Sequence, residues 1–319
     1  MALPHVRSAS LPLVGSQAAY AQVPELVVIS GKGGTGKTSV VASLAVLAED
    51  MVLADCDVDA ADLHLVLEPT VVERHGFVSG HEAVIRPQDC EGCGICHEVC
   101  RFDAVQVVAG PPGYQIDPIA CEGCGVCVRL CPAHALDFND RRCGEWFVSD
   151  TRCGPMVHAR LGIAAENSGK LVTLVRQRAK QVALSHGLSL VLIDGPPGIG
   201  CPVIASITGA SGVLIVTEPT VSGLHDMARV LQLTQHFAIQ TAVCVNRWDL
   251  HPEGTRRIEE LAGKHGGFVA GRIRYDTAVT TAQVEGRAVV ELGGPAADDI
   301  RELWVQLRPW WLGSGSDRS

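Results

Sequence analysis

Residues 26–38 read Leu26-Val27-Val28-Ile29-Ser30-Gly31-Lys32-Gly33-Gly34-Thr35-Gly36-Lys37-Thr38. A β-branched apolar run stops at a string of glycines, and a helix-compatible stretch follows. The run reads as a buried strand. The loop fits G-x-x-x-x-G-K-[ST] in the context that gives this motif meaning, after a strand and opening a helix. Glycines let backbone N–H groups turn inward against phosphate oxygens, and the helix start adds its positive dipole end. Lys37 is expected to reach the β- and γ-phosphates, and the Thr38 hydroxyl to ligate Mg²⁺. Gly31, Gly33, Gly34, Thr35, Gly36, Lys37, Thr38 and Ser39 are therefore the candidate nucleotide-binding residues. A chance glycine-rich turn is the alternative, and it would not need the flanking strand and helix.

Outward from this loop, 39–50 reads as a helix and Met51-Val52-Leu53-Ala54 as a second strand, the start of a βαβ unit. The same grammar resumes late. Residues 189–193 form an apolar run ending at Asp194, 212–217 and 241–245 read as strands, and 224–236, 256–265 and 298–307 as helices. The expected fold is α/β, a mostly parallel sheet with helices on both faces. It occupies 25–81 and 139–309, with tails at 1–24 and 310–319.

Residues 82–138 interrupt that grammar with a repeat. Cys90-Glu91-Gly92-Cys93-Gly94-Ile95-Cys96 recurs as Cys121-Glu122-Gly123-Cys124-Gly125-Val126-Cys127, and Cys100 and Cys131 close the two runs. C-x₂-C-x₂-C-x₃-C twice is the bacterial two-cluster ferredoxin pattern, in which the fourth cysteine of each run serves the other cluster. One [4Fe–4S] cluster is expected on Cys90, Cys93, Cys96 and Cys131, the other on Cys121, Cys124, Cys127 and Cys100. The segment is too poor in apolar residues to fold on a core alone, so an inorganic centre should hold this small α+β domain together. Zinc is the alternative, and two runs of four cysteines suit it poorly. Arg101, where the pattern would have proline, puts a cation near one cluster.

Composition narrows the function classes. In 319 residues, 47% hydrophobic content supports a full core, while 35 acids against 26 bases leave −9, a poor charge for generic nucleic-acid binding. No apolar run approaches the roughly 18 residues of a membrane span. Ala19-Tyr20-Ala21 mimics a signal-cleavage site, but the stretch before it is too broken to be a secretory core. A cytoplasmic protein without nucleic-acid or membrane partners is expected. Trp304, Trp310 and Trp311 near the C-terminus read as docking onto the domain rather than a membrane anchor. Only five of the 26 bases are lysine, and two of them, Lys32 and Lys37, share the glycine loop.

Lys32 is the informative extra. With it, the sequence resembles the MinD/ParA superfamily of P-loop ATPases, relatives of the nitrogenase iron protein and of Mrp-type carriers. Asp55-Cys56-Asp57 closes the second strand as that family's paired aspartates do, and Val191-Leu192-Ile193-Asp194-Gly195-Pro196-Pro197-Gly198 resembles its Walker B strand and switch. The resemblance implies ATP with Mg²⁺, and a homodimer or a pair with a paralogue in which Lys32 reaches the partner's nucleotide. It implies that Asp57 orients the attacking water while Asp55 and Asp194 support Mg²⁺, which makes Lys32, Lys37 and Asp57 the catalytic set. Asn246 of Asn246-Arg247-Trp248-Asp249 would bond the purine. N-x-x-D also serves guanine, so the motif alone leaves GTP open, and the family favours ATP. With the cysteine insert, the chain looks like an ATPase that couples nucleotide state to electron transfer toward a redox partner protein. An ATP-dependent metallocofactor assembly or carrier protein is the second reading, and a ParA-like positioning ATPase the third.

Five cysteines remain. Cys56, Cys201 and Cys244 are expected to be small buried core residues. Cys143 and Cys153, ten residues apart, specify no site of their own. Asn167-Ser168-Gly169-Lys170 reads as a helix cap or as a site for a partner or anion. His158 reads as structural.

Overall fold

The computed structural model describes residues 23–162 and 168–309. The expectations for most of the N-terminal tail, for Asn167 and for Trp310-Trp311 lie outside those residues.

The nucleotide half begins with β1 (Glu25–Ser30), α1 (Lys37–Leu47), β2 (Met51–Asp55) and α2 (Leu63–Leu67). Next comes a long strand, β3 (Thr70–Ile85), which leads into the cysteine segment with α3 (Ile95–Glu98), β4 (Val105–Val107), β5 (Tyr114–Ile116) and α4 (Val126–Leu130). A second long strand, β6 (Leu136–Thr151), returns to the body, followed by β7 (Gly154–Leu161) and α5 (Ser168–His186). The rest alternates: β8 (Leu190–Pro197), α6 (Cys201–Ile207), β9 (Gly212–Thr217), α7 (Val221–His236), β10 (Thr241–Asn246), α8 (Pro252–Lys264) and β11 (Phe268–Ile273), then α9 (Ala278–Val284), α10 (Val289–Leu292) and α11 (Pro295–Leu307).

These strands build one nine-stranded sheet in the order β11-β10-β9-β1-β8-β2-β7-β6-β3, parallel from β11 through β7. β1, β2 and β9 are buried at every residue, as strands covered on both faces must be. Alternate residues divide between two cores: Leu26, Val28, Met51 and Leu53 face one, Val27, Ile29, Val52 and Ala54 the other. The α/β expectation, a mostly parallel sheet with helices on both faces, is met.

Helix starts depart from the sequence reading in a consistent way. α8 begins at Pro252 rather than Arg256, because Pro takes the first helical position and the His251 ring accepts from the Gly254 N–H. α7 begins at Val221 rather than Leu224, capped by the Thr220 hydroxyl. α1 begins at Lys37 and stops at Leu47, short of Asp50, whose φ of 52° turns the chain into β2.

The largest departure is at the insert. The boundaries read at 82 and 138 fall inside β3 and β6. These strands pair antiparallel from Thr70–Asp150 to Ile85–Leu136, and β6 pairs antiparallel with β7 as far as Gly144–Leu161. Beyond Leu161 the β3–β6 pair runs on alone for about 25 Å at about 3.3 Å per residue. It therefore forms an arm rising from the carboxyl end of the sheet, the end where the loop after β1 also lies. Polar residues alternate along it, which hid it among loop signals.

A buried ion pair locks α5 to β1. Arg176 donates to both Glu25 oxygens (3.1 and 2.7 Å) and to the carbonyls of Ala205 and Thr208, while Lys180 Nζ lies 2.7 Å from Glu25 Oε2. Both Glu25 and Arg176 are buried. Arg176→Ala is expected to cost about 3 kcal/mol in a denaturant titration, because it leaves a buried carboxylate with one partly exposed lysine. A loss under about 1 kcal/mol would show that Lys180 suffices.

Candidate functional site

The glycine loop sits on the carboxyl end of β1, between the ends of β2 and β8. Gly36 has φ 84°, and a side chain there would collide with the Asn246 amide. Asn246 explains that closeness: its Nδ2 donates to the Thr35 carbonyl at 2.8 Å, and its Oδ1 accepts from the Arg247 N–H at 3.0 Å. The residue read as a purine contact is thus also a strut that holds the loop. Gly31 is pressed against Asp226 of α7 with no room for a Cβ, whereas Gly33 and Gly34 face open space.

Three carboxylates converge on one ammonium. Lys37 bonds Asp194 directly and lies 3.4 Å from Asp57 Oδ2; the Asp57 N–H donates to Asp55 Oδ1 at 3.2 Å, and the Cys56 N–H to the Asp194 carbonyl at 2.8 Å. All four side chains are buried. Burial works against the Lys37 charge, but Asp194, Asp57 and Asp55 outweigh it and hold the lysine above its ordinary pKa. Burial, with Asp194 next, pushes Asp55 well above the usual carboxylate range; burial also raises Asp57, opposed by Lys37.

The residues fit a phosphate with its divalent ion on two grounds. Among the described residues, Thr35 Oγ1 and Asp55 Oδ2 are buried in this site with no hydrogen-bond partner. Beside them lies a cavity of ≈ 420 Å³ lined by Gly33, Gly34, Gly36, Lys37, Thr38, Ser39, Asp57 and Asn246. Thr38 and Ser39 are half-buried on its wall. Lys32 leaves the cavity and donates to Ser222 Oγ at 2.8 Å.

The far wall was not legible in the sequence. Tyr275, Asp276, Val279 and Gln283 line it, and Gln283 Nε2 donates to Ser39 Oγ at 2.8 Å. These residues follow the last strand, about 240 positions from the glycine loop, and carry no motif. Asp249 is tied down instead of lining the cavity: its Oδ1 accepts from the Tyr275 N–H at 2.7 Å. The carboxylate that would read guanine in an N-x-x-D loop holds this wall in place.

The short helices of the two cysteine runs, α3 and α4, pack against each other. Cys100, Cys121, Cys124 and Cys127 line one small cavity; burial raises the Cys96 thiol, with Cys90, Cys93 and Cys131 adding to it, and the Cys127 thiol feels Cys121, Cys124 and also Cys96. Burial pushes Cys127 up to about 11. Gly92, Gly94, Gly123 and Gly125 all have positive φ. Among the described residues no three His, Cys, Asp or Glu side chains converge closely enough for a single metal ion.

The other cysteines divide. Cys56 and Cys244 are fully buried with raised pKa, as read. Cys201, read as buried, is exposed, because α6 starts at the surface directly after the loop beyond Asp194. Cys143 and Cys153 belong to opposite faces of the sheet and do not meet. His158 stacks on Phe147 and contacts Ser149 Oγ at 2.8 Å, and burial lowers it to about 4, so it is a neutral structural ring.

Asp55 supplies a pH test. Its raised pKa means that the fold binds this proton more tightly than the unfolded chain does. The stability it contributes is complete below about pH 4 and is lost as pH rises. Asp55→Asn is therefore expected to raise the thermal midpoint of the nucleotide-free protein at pH 7, with the gain vanishing near pH 4. MgATP binding should weaken at least about tenfold in the same variant. A lower midpoint at pH 7 would contradict the assignment.

The model of the CobQ/CobB/MinD/ParA nucleotide binding domain matches residues 26–289. An uncharacterized protein of Methanocaldococcus jannaschii is 33% identical over 234 residues, 70% of this chain and 78% of that one. An uncharacterized ATP-binding protein of the same archaeon is 23% identical over 295 residues, 88% of this chain and 86% of its own. Among solved structures, the MinC:MinD cell division protein complex of Aquifex aeolicus aligns with TM-score 0.55 at 17% identity, covering 93% of this chain and 98% of that one. MinD of Pyrococcus horikoshii complexed with Mg-ADP aligns with TM-score 0.52 at 17% identity, covering 89% and 95%. At such identity these two likenesses bear on the fold alone. Among the described residues no helix is long and apolar enough to cross a membrane. With its glycine loop on the carboxyl end of a parallel sheet and Lys37 framed by Asp55, Asp57 and Asp194, the chain belongs to the CobQ/CobB/MinD/ParA family of nucleotide-binding proteins.

Proposed function

We propose that this protein is an ATPase that couples its nucleotide state to two [4Fe–4S] clusters, passing electrons to a partner protein. The observation that supports this reading is the doubled C-x₂-C-x₂-C-x₃-C run, with Gly92, Gly94, Gly123 and Gly125 all at positive φ and Cys100, Cys121, Cys124 and Cys127 lining one small cavity. When bound, the clusters supply one-electron carriers. The cysteine thiolates hold them, and the glycine turns bring backbone N–H groups toward them.

At the nucleotide site, Lys37 leaves its carboxylates for the β- and γ-phosphates, and Thr38, Asp55 and Asp194 hold the Mg²⁺ shell. Asp57 orients the attacking water. Tyr275 and Gln283 close over the nucleotide. Asp249, committed to the Tyr275 N–H, favours ATP over GTP. In a homodimer, or a pair with a paralogue, Lys32 would exchange Ser222 for the partner's nucleotide. Hydrolysis then alters the loop after Asp194, as γ-phosphate loss does in other nucleotide switches.

The likeness to MinD structures favours a second reading, a positioning ATPase in which the cysteine segment only docks a partner. ATP-dependent cofactor assembly or carriage is the third. Eight cysteines in two complete ligand sets hold a centre tightly, which counts against donation.

Anaerobic reconstitution followed by iron and sulfide counts separates these readings. The proposal expects about eight irons per chain and a reduction potential that moves by about 60 mV between MgADP and MgATP, tenfold in a one-electron equilibrium. Eight irons with unmoved potentials would transfer support to assembly or docking. Zinc in place of iron would end the redox reading.

A further inference from the structure

Ser168-Gly169-Lys170 opens the 19-residue helix α5, and no step of nucleotide chemistry uses it. Its surroundings connect two parts of the molecule. On one side, a Cβ at Gly169 would stand 3.6 Å from the backbone of Cys201. The first turn of α5 therefore lies against the start of α6, the first element after the loop that follows Asp194. On the other side, Lys170 Nζ approaches Ser79 Oγ of β3 at 3.5 Å.

Ser79 is a buried residue of the arm, and its carbonyl accepts from Cys143 Sγ of β6 at 3.1 Å. The next residue, Gly80, has φ 77°, and the β3–β6 register shifts between Val78 and His81. Such a bulge leaves the extra residue unpaired and bends the strand pair at that point. Directly beyond it, the His81 carbonyl lies so close to Gly123 that no side chain could fit there. Arg141 donates to the Cys121 carbonyl at 3.0 Å, and the His81 ring stacks on Phe138 at 4.6 Å, beneath Gly125. The second cysteine run is thus seated on the bulge with no slack.

We propose that Lys170 is a positioning residue tying the loop after Asp194 to the second cysteine run, through the Ser79–Gly80 bulge of the arm. This rests on the ATP-coupled reading above and names the route of its coupling. A shift at Cys201 displaces the first turn of α5. Lys170 carries that displacement to Ser79, the bulge converts it into a tilt of the arm, and the Cys121–Gly125 loop follows because Gly123 has no free space. Packed chains of this kind transmit discrete rearrangements when both ends bias them.

The experiment is hydrogen–deuterium exchange on the full chain, with and without Mg²⁺ and a non-hydrolysable ATP analogue. Wild type, Lys170→Ala, Ser79→Ala and Lys170→Arg are compared. In wild type, exchange should change at 195–200, at 79–81 and at 121–125. In Lys170→Ala and Ser79→Ala it should change only at 195–200, with analogue affinity within about twofold of wild type, and Lys170→Arg should restore the pattern. On reconstituted protein, Lys170→Ala should lose the nucleotide-induced shift in potential while keeping its iron. An unaltered response at 79–81 and 121–125 in Lys170→Ala overturns the proposal, as does a wild-type response confined to 195–200. If the exchange pattern follows Lys170 but the potentials never move, the tie stands and the electron-transfer reading falls.

Discussion

The Lys37 ammonium among Asp194, Asp57 and Asp55 is the constraint around which the rest is arranged. A buried lysine keeps its charge only where opposite charge surrounds it, and three carboxyl groups around one cation exceed what it can balance. That surplus is suited to a divalent cation, and the lysine to a polyphosphate. The glycine loop, the ends of β2 and β8, and the Asn246 strut all place these four groups within reach of one another. The sheet around them is correspondingly rigid, with strands buried at every position.

Mobility must therefore lie outside the central strands. The exposed start of α6, the first turn of α5 and the bulged arm form a margin running from Asp194 to the cysteine segment. The arm is part of the same sheet, since β6 continues the ladder through β7 to β2, so a movement there need not cross a flexible linker. An insert on loose tethers would be insulated from the nucleotide. One carried on sheet shares its ladder with the strands that frame the nucleotide site.

Local chemistry was legible in the sequence and tertiary chemistry was not. The glycine loop and the aspartates of β2 and β8 declare themselves within a few residues, because phosphate binding demands particular residues at close spacing. Helix starts at Pro252 and Pro295 were placed too late, since the apolar period begins after the cap. Tyr275 and Gln283 carry no signal of their own; they matter only because β11 returns the chain beside the loop after β1. Cys201 departs from the expectation that a free cysteine is small and buried, because its exposure depends on where α6 emerges. Asn246 was read by its motif, and its second role as a strut shows only in its distance to Thr35.

The strand order carries a consequence for how the molecule is born. β1 and β2 are neighbours in sequence, yet they never pair; β8 lies between them, and it is made more than a hundred residues after β2. Synthesis proceeds from the N-terminus, and a sheet cannot close around a strand that has not yet been made. The glycine loop is therefore without one of its walls until the whole arm, with all eight clustered cysteines, has left the ribosome. The order follows from topology alone: both cysteine runs emerge before the strand that completes the nucleotide site.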